Sequence, residues 1–308
     1  MLKTVQYELW KTCEHKCKFC YNALLKNMPD TDKVLLKAYE DIKTRQDVNI
    51  YSFIGGELFG SQYNKHKDAF NQMIRYLNEQ MIYNENIKKV YFTCSLMSEL
   101  EHNNLVSELS FFDNKNLEKI TILTSYDTIG RFKNLPEERE WFLNLQSLKL
   151  GYPTININCS IILTEDFMKR YLNGAFKFEH LTNQNNVDSF FLKLPQLPYG
   201  INDKAELKLP DFFCKRETFI QFLKKLQKDN SELWGSLFNI EKRADEFIMQ
   251  LPNGEIITQY RDKSTKLEYM SEYDLILPCG HQSVYIPFID SNDCAMCIKQ
   301  LMEEQNED

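Results

Sequence analysis

Apolar positions along the first two hundred residues follow two alternating rhythms. Short runs such as Val5–Trp10, Val48–Ile54 and Ile120–Ser125 crowd apolar and aromatic residues together, as buried strands do. Between them apolar residues recur at helical spacing: Leu35, Ala38, Tyr39 and Ile42 within Thr31–Gln46, then Phe70, Met73, Ile74, Leu77 and Met81 within Lys65–Ile82. Lys89–Leu96, Thr154–Leu163 and Val187–Leu194 complete six predicted strands. Asn104–Phe112, Pro136–Leu150 and Glu165–Leu172 are the remaining predicted helices. Pro136 opens one of these, and Gly151 lies just beyond its expected end. Six strands interleaved with helices predict an α/β fold of right-handed parallel units. Six units are too few for a closed eightfold barrel but suit a doubly wound sheet or, the reading adopted, a partial (βα)6 TIM-like barrel. In both, ligands gather at the carboxyl ends of the strands.

The pattern breaks at Leu194-Pro-Gln-Leu-Pro-Tyr-Gly200, which divides the chain into a barrel over residues 1–200 and a smaller α+β metal-binding region over 201–308. Beyond the break, Asp211–Lys228 reads as an amphipathic helix carrying Phe219, Phe222, Leu223 and Leu226. Phe247–Gln250 and Glu255–Tyr260 flank Pro252-Asn253-Gly254, a hairpin signal. Glu303–Asp308 is an acidic tail.

Composition narrows the class. With 308 residues, 43% hydrophobic and 26% charged, the chain resembles an ordinary globular protein and excludes collagen-like, disordered and polytopic membrane classes. No run approaches the ~20 apolar residues of a membrane span. Met1-Leu2-Lys3-Thr4 leads straight into a strand without an apolar signal region, so a cytoplasmic protein is expected. A net charge of −7 argues against a general polyanion-binding surface. Nine cysteines without a secretion signal point to metal ligands or catalytic groups rather than disulfides.

Three of them lie in the loop after the first strand: Cys13-Glu-His-Lys-Cys17-Lys-Phe-Cys20, a C-x3-C-x2-C run. Thiolates at this density converge on soft metals, and iron–sulfur clusters are held by such runs. Three protein thiolates leave one iron of a four-iron cube open, as a catalytic centre requires. A structural zinc knuckle would need a fourth ligand, and His15 is too close within the loop to serve well. The run resembles the radical S-adenosylmethionine (radical SAM) superfamily, with Cys13, Cys17, Phe19 and Cys20 filling each motif position. The resemblance implies a 4Fe-4S cluster on the three cysteines, with SAM chelating the unique iron. It further implies one-electron reduction by a donor such as flavodoxin or ferredoxin, cleavage of SAM to a 5′-deoxyadenosyl radical, and hydrogen abstraction from a substrate.

Further segments match the same resemblance. Gly55-Gly56-Glu57 ends the second strand, where the superfamily contacts the SAM amino group; paired glycines also let a ligand approach the backbone. Ser125-Tyr-Asp127…Arg131 resembles the segment whose serine and arginine meet the ribose or methionine part and the SAM carboxylate, although Tyr126 departs from the usual small residue. The fifth strand lacks the family's glycine-rich form, leaving Asn158, Ser160 and Thr164 as weaker candidates. Cys94, Cys159 and Cys214 read as packing residues. Tyr21 and Tyr199 fall on loops that could face a substrate.

Near the end, Cys279-Gly-His281 and Cys294-Ala-Met-Cys297 form C-x-H-x12-C-x2-C. Two tight knuckles fit a tetrahedral zinc site. An auxiliary iron–sulfur cluster on Cys279, Cys294 and Cys297 stays open, as in twitch-like extensions. The substrate expectation leans to a peptide or protein side chain. A nucleic acid substrate and a non-enzymatic zinc-binding interaction module are the alternatives, and no membrane partner is expected.

Overall fold

The computed structural model describes residues 3–10, 12–15, 17, 32–128, 131–182, 187–193, 216–229, 246–250 and 256–258. Strands β1 (Lys3–Glu8), β2 (Ile50–Ile54), β3 (Lys89–Thr93), β4 (Ile120–Tyr126), β5 (Asn156–Ile162) and β6 (Ser189–Lys193) pair in chain order, each parallel to the one before. A doubly wound sheet would reverse its strand order part-way. This one does not, so its winding is that of a barrel.

The two faces of the sheet differ in chemistry because side chains alternate along each strand. Val5, Tyr7, Tyr51, Phe53, Val90, Phe92, Ile122, Ile157 and Ile161 are buried on one face. The helices that cover it are α1 (Asp32–Thr44), α2 (Ser61–Tyr83), α3 (Glu99–Leu109), the short α4 (Asn114–Leu117), α5 (Leu135–Gly151), α6 (Glu165–Leu172) and the short α7 (Glu179–Thr182). Tyr7, Phe53 and Phe92 stack in a row at centroid spacings of 5.8 and 5.5 Å. Each such aromatic contributes roughly 1.5–3 kcal/mol through burial, so this face holds the barrel together. The opposite face is mixed: it carries Gln6, Ser52, Tyr91, Ser125, Asn158 and Ser160 beside Ile54, Leu123 and Ile162, and so is more polar than the helix-covered face.

Helix boundaries depart from the periodicity where capping is non-local or the buried face is polar. Helix α2 starts at Ser61 rather than Lys65, because its first amide receives the Glu14 carboxylate from the cysteine loop. Helix α3 spans Glu99–Leu109 rather than Asn104–Phe112; its buried residues include Glu101, Asn104 and Glu108, which mask the apolar rhythm. Gly151 is the last residue of α5 instead of lying beyond it. Helix α6 is capped by the Thr164 hydroxyl, which accepts from the Phe167 amide at 3.3 Å.

Past the barrel, α8 (Arg216–Asp229) lays Phe222 against Tyr171 and Phe167 of α6, at centroid distances of 5.2 and 6.4 Å. Strands β7 (Glu246–Gln250) and β8 (Ile256–Thr258) form the expected antiparallel hairpin. β7 also runs parallel to β1, with Val5 opposite Ile248, so the hairpin extends the barrel sheet at its first strand. Among the described residues no helix is long and apolar enough to cross a membrane.

Candidate active site

The carboxyl end of β1 continues through Leu9 and Trp10 into the cysteine loop. Successive hydrogen bonds stitch this segment to the tip of β2: Leu9 N–H to Ile54 O at 2.9 Å, Gly56 N–H to Trp10 O at 2.7 Å, and Glu57 N–H to Thr12 O at 3.2 Å. Trp10 returns the bond through its indole N–H, 2.6 Å from Glu57 O. Gly55 is required here: a Cβ on it would lie 2.9 Å from Trp10 O, a backbone atom with no room to retreat. The loop is anchored next at α2. Gln62 Nε2 donates to Thr12 Oγ1 at 3.1 Å, and Glu14 caps the Ser61 amide. Gly60 permits that cap, since a Cβ on it would meet the Glu14 carboxylate at 2.5 Å.

Cys13 is half-buried and Cys17 buried on this anchored loop. Phe19 and Cys20 lie outside the described residues, as do Tyr21, Tyr199, Cys214 and the group Cys279, His281, Cys294 and Cys297. The donors present suit the expected cluster: two thiols on one loop whose backbone is fixed against the diglycine turn. Cys94 is different. Burial first, then the charges of Glu57 and Glu101, push its thiol well above the usual range, so it stays protonated at the end of β3.

Ser95, which sequence reasoning did not single out, is the hub of the site. Its amide donates to Glu57 Oε2 at 2.7 Å and its hydroxyl to Glu101 Oε2 at 2.5 Å. Its carbonyl accepts from Trp141 Nε1 at 2.9 Å, Thr124 Oγ1 at 3.2 Å and Arg131 Nη1 at 3.3 Å. The next residue, Leu96, adopts φ of +57°, a left-handed conformation costing about 1–2 kcal/mol. That turn presents the amides of Ser95 and Met97 to two different carboxylates, Glu57 and Glu101. Asn144 secures it by donating to Leu96 O at 3.0 Å.

Glu57 is buried, with Oε1 accepting from Phe59 N–H at 3.1 Å. Burial first, then Glu101, push its carboxyl up to about 7. Its side chain therefore braces the turn between β2 and β3, and the Gly55-Gly56 backbone is the part of the motif at the strand tip. Glu101 behaves oppositely. Burial would raise it, but the hydrogen bond from His15 holds it below the usual range. Burial would lower His15, and the bond to Glu101 raises it instead.

On the other side of Ser95, Arg131 Nη2 donates to Ser125 Oγ at 2.5 Å, so the structure joins the two residues of the strand-four candidate segment. Ser125 is opposite Ser160 in the β4–β5 register. Thr164 is buried, donating to Asp127 Oδ1 at 3.1 Å while capping α6. Asn158 Oδ1 accepts from Ser189 Oγ at 2.7 Å across β5 and β6. The signal that could have located Glu101 is Ser98-x-x-Glu101, a capping box that starts α3. Ser98 does accept from Glu101 N–H, but the Glu101 carboxylate reaches Met97 and Ser95 instead of closing the box.

A parallel partial barrel carries a cysteine loop stitched to a diglycine strand tip. Residues 5–126 match the family model described as a 4Fe-4S single cluster domain. The fold is similar to that of native anSMEcpe with bound AdoMet: TM-score 0.57, 12% identity, covering 98% of this chain and 96% of that one. It is similar also to Streptococcus suis SuiB bound to precursor peptide SuiA: TM-score 0.52, 14% identity, 83% of this chain and 59% of that one. The chain thus spans about three-fifths of SuiB's length. No curated protein matches it. The cluster-domain match spans residues 5–126, and the fold over nearly the whole chain is that of an AdoMet-bound protein.

Proposed function

We propose that this chain is a radical SAM enzyme that cleaves SAM reductively and abstracts hydrogen from a peptide or protein side chain. The observation that carries it is the double tie of Gly56 to Trp10 and of Glu57 to Thr12, which sets the first cysteine beside the diglycine tip. Cys13, Cys17 and Cys20 would hold the cluster, which supplies one electron to SAM and so generates the hydrogen-abstracting 5′-deoxyadenosyl radical. Gly55 and Gly56 offer backbone groups to the SAM ammonium. Arg131 offers its fork to the SAM carboxylate, already oriented by Ser125 and Ser95. The buried aromatics behind β1–β3 keep this end of the barrel rigid, and polar side chains on the inner strand face, such as Ser125 and Asn158, could meet a polar substrate. A one-electron donor of the flavodoxin or ferredoxin class completes the system. The peptide reading is supported by SuiB, which shares the fold and binds a precursor peptide.

Anaerobic reconstitution with iron and sulfide, followed by reduction in the presence of SAM, tests the activity. Release of 5′-deoxyadenosine is the expected result; a colourless zinc-only protein that leaves SAM intact overturns it. Faster release on adding candidate peptides, but not oligonucleotides, supports the substrate class, and the reverse pattern removes it.

A further inference from the structure

We propose that His15 and Glu101 form a clamp that positions the cysteine loop, with His15 serving the cluster as a positioning residue rather than as a ligand. The inference rests on the radical SAM reading and extends it to a residue the motif leaves unspecified. His15 falls midway between Cys13 and Cys17, and its Nε2 is hydrogen-bonded to Glu101 Oε1. Glu101 is buried in the first turn of α3, and its other oxygen is already held by Met97 N–H at 2.9 Å and by the Ser95 hydroxyl. The acceptor that meets His15 is therefore fixed from behind.

Successive residues of the loop diverge to different elements. Thr12 is held by the tip of β2, Glu14 by the first amide of α2, and His15 by the first turn of α3. Three anchors in four residues flank Cys13 on both sides, and His15 supplies the only one of the three that reaches α3. His15 Nε2, Glu57 and Glu101 place ligand atoms within 4.8 Å of one another, the geometry of a small metal site. The hydrogen bonds from Phe59, Ser95, Met97 and His15 already occupy those carboxylates, so the clamp is the reading the contacts favour. Groups that orient metal ligands without touching the metal commonly alter metal retention by one to two orders of magnitude.

The test uses the full chain, reconstituted anaerobically, as wild type, His15→Leu and His15→Gln. The leucine fills the space without a donor; glutamine restores an N–H donor of similar reach. Iron release to a chelator and the electron paramagnetic resonance spectrum of the reduced cluster are measured alongside thermal unfolding of the metal-free proteins. Expected are roughly tenfold faster iron release and a broadened spectrum for His15→Leu, near wild-type behaviour for His15→Gln, and similar metal-free melting temperatures for all three. Wild-type release in His15→Leu overturns the clamp, as does equal acceleration in both variants. So does a loss of metal-free melting temperature large enough to account for the release. A wild type that takes up no iron and sulfide removes the radical SAM reading and the clamp together; a normal wild type beside a normal His15→Leu removes the clamp alone.

Discussion

The amide of Gly56 donates to the carbonyl of Trp10 at 2.7 Å, so the tip of the second strand and the entry to the cysteine loop form one piece of backbone. The contact is close because Gly55 carries no side chain: a Cβ there would be 2.9 Å from the same carbonyl and 3.2 Å from the Trp10 ring. Gly55→Ala is expected to displace Trp10 and cost about 1–3 kcal/mol of stability. Urea unfolding of the metal-free protein measures the cost. Iron content after reconstitution should fall with it, because Thr12 and Cys13 follow Trp10. Unchanged unfolding and full iron loading would refute the coupling.

Cysteine chemistry separates the cluster loop from the barrel core. Cys94 is buried and its thiol is held protonated, whereas Cys13 stands half-exposed on the anchored loop. Cys13→Ala is expected to abolish cluster assembly. Cys94→Ala should retain iron and sulfide at wild-type levels while losing stability by about 1 kcal/mol, as a small core truncation does. Iron and acid-labile sulfide analysis of the two variants decides it; iron loss in Cys94→Ala would place a ligand where the geometry has none.

The strands were legible because β1 to β5 bury consecutive or alternating apolar residues, and Cys13, Cys17 and the diglycine follow the ends of β1 and β2. What was hidden depended on contacts distant in sequence. The start of α2 needs Glu14, the inner face of α3 is polar because Glu101 and Glu108 find partners on other elements, and the pairing of β7 with β1 joins residues more than two hundred positions apart. Ser95 escaped notice for the same reason. A serine after a strand carries no local signal of bonding Glu57, Glu101 and Arg131 at once.

Arg131 reaches Ser125 Oγ and Ser95 O with different nitrogens of its fork. A lysine has one nitrogen at its tip and cannot satisfy two divergent acceptors while also meeting a carboxylate. Arg131→Lys is therefore expected to bind SAM more weakly by about 1.5–3 kcal/mol, the range for a charged hydrogen bond. That corresponds to a Kd raised roughly tenfold to a hundredfold. Iron content should not change, since the loop anchors do not involve Arg131. Equilibrium dialysis with labelled SAM on the reconstituted protein measures the shift, and an unaltered Kd would take Arg131 out of the binding site.

Glu108 supplies the pH dependence. It is fully buried between α2 and α3, where Tyr63 Oη donates to its carboxylate. Burial dominates and raises its carboxyl from an ordinary 4.5 to about 7. Because the folded state holds this proton more tightly than the unfolded chain, stability from this group is greatest below about pH 4.5. It is lost as pH rises toward 7 and levels off above that. The span corresponds to roughly 3 kcal/mol. Glu108→Gln keeps an acceptor for Tyr63 and removes the titration. Its stability should exceed that of wild type at pH 8 and converge with it near pH 5, when urea midpoints of the metal-free proteins are compared across that range. A constant difference between the two curves would mean that Glu108 ionises as readily folded as unfolded, and the buried carboxyl would then have to be reached by water.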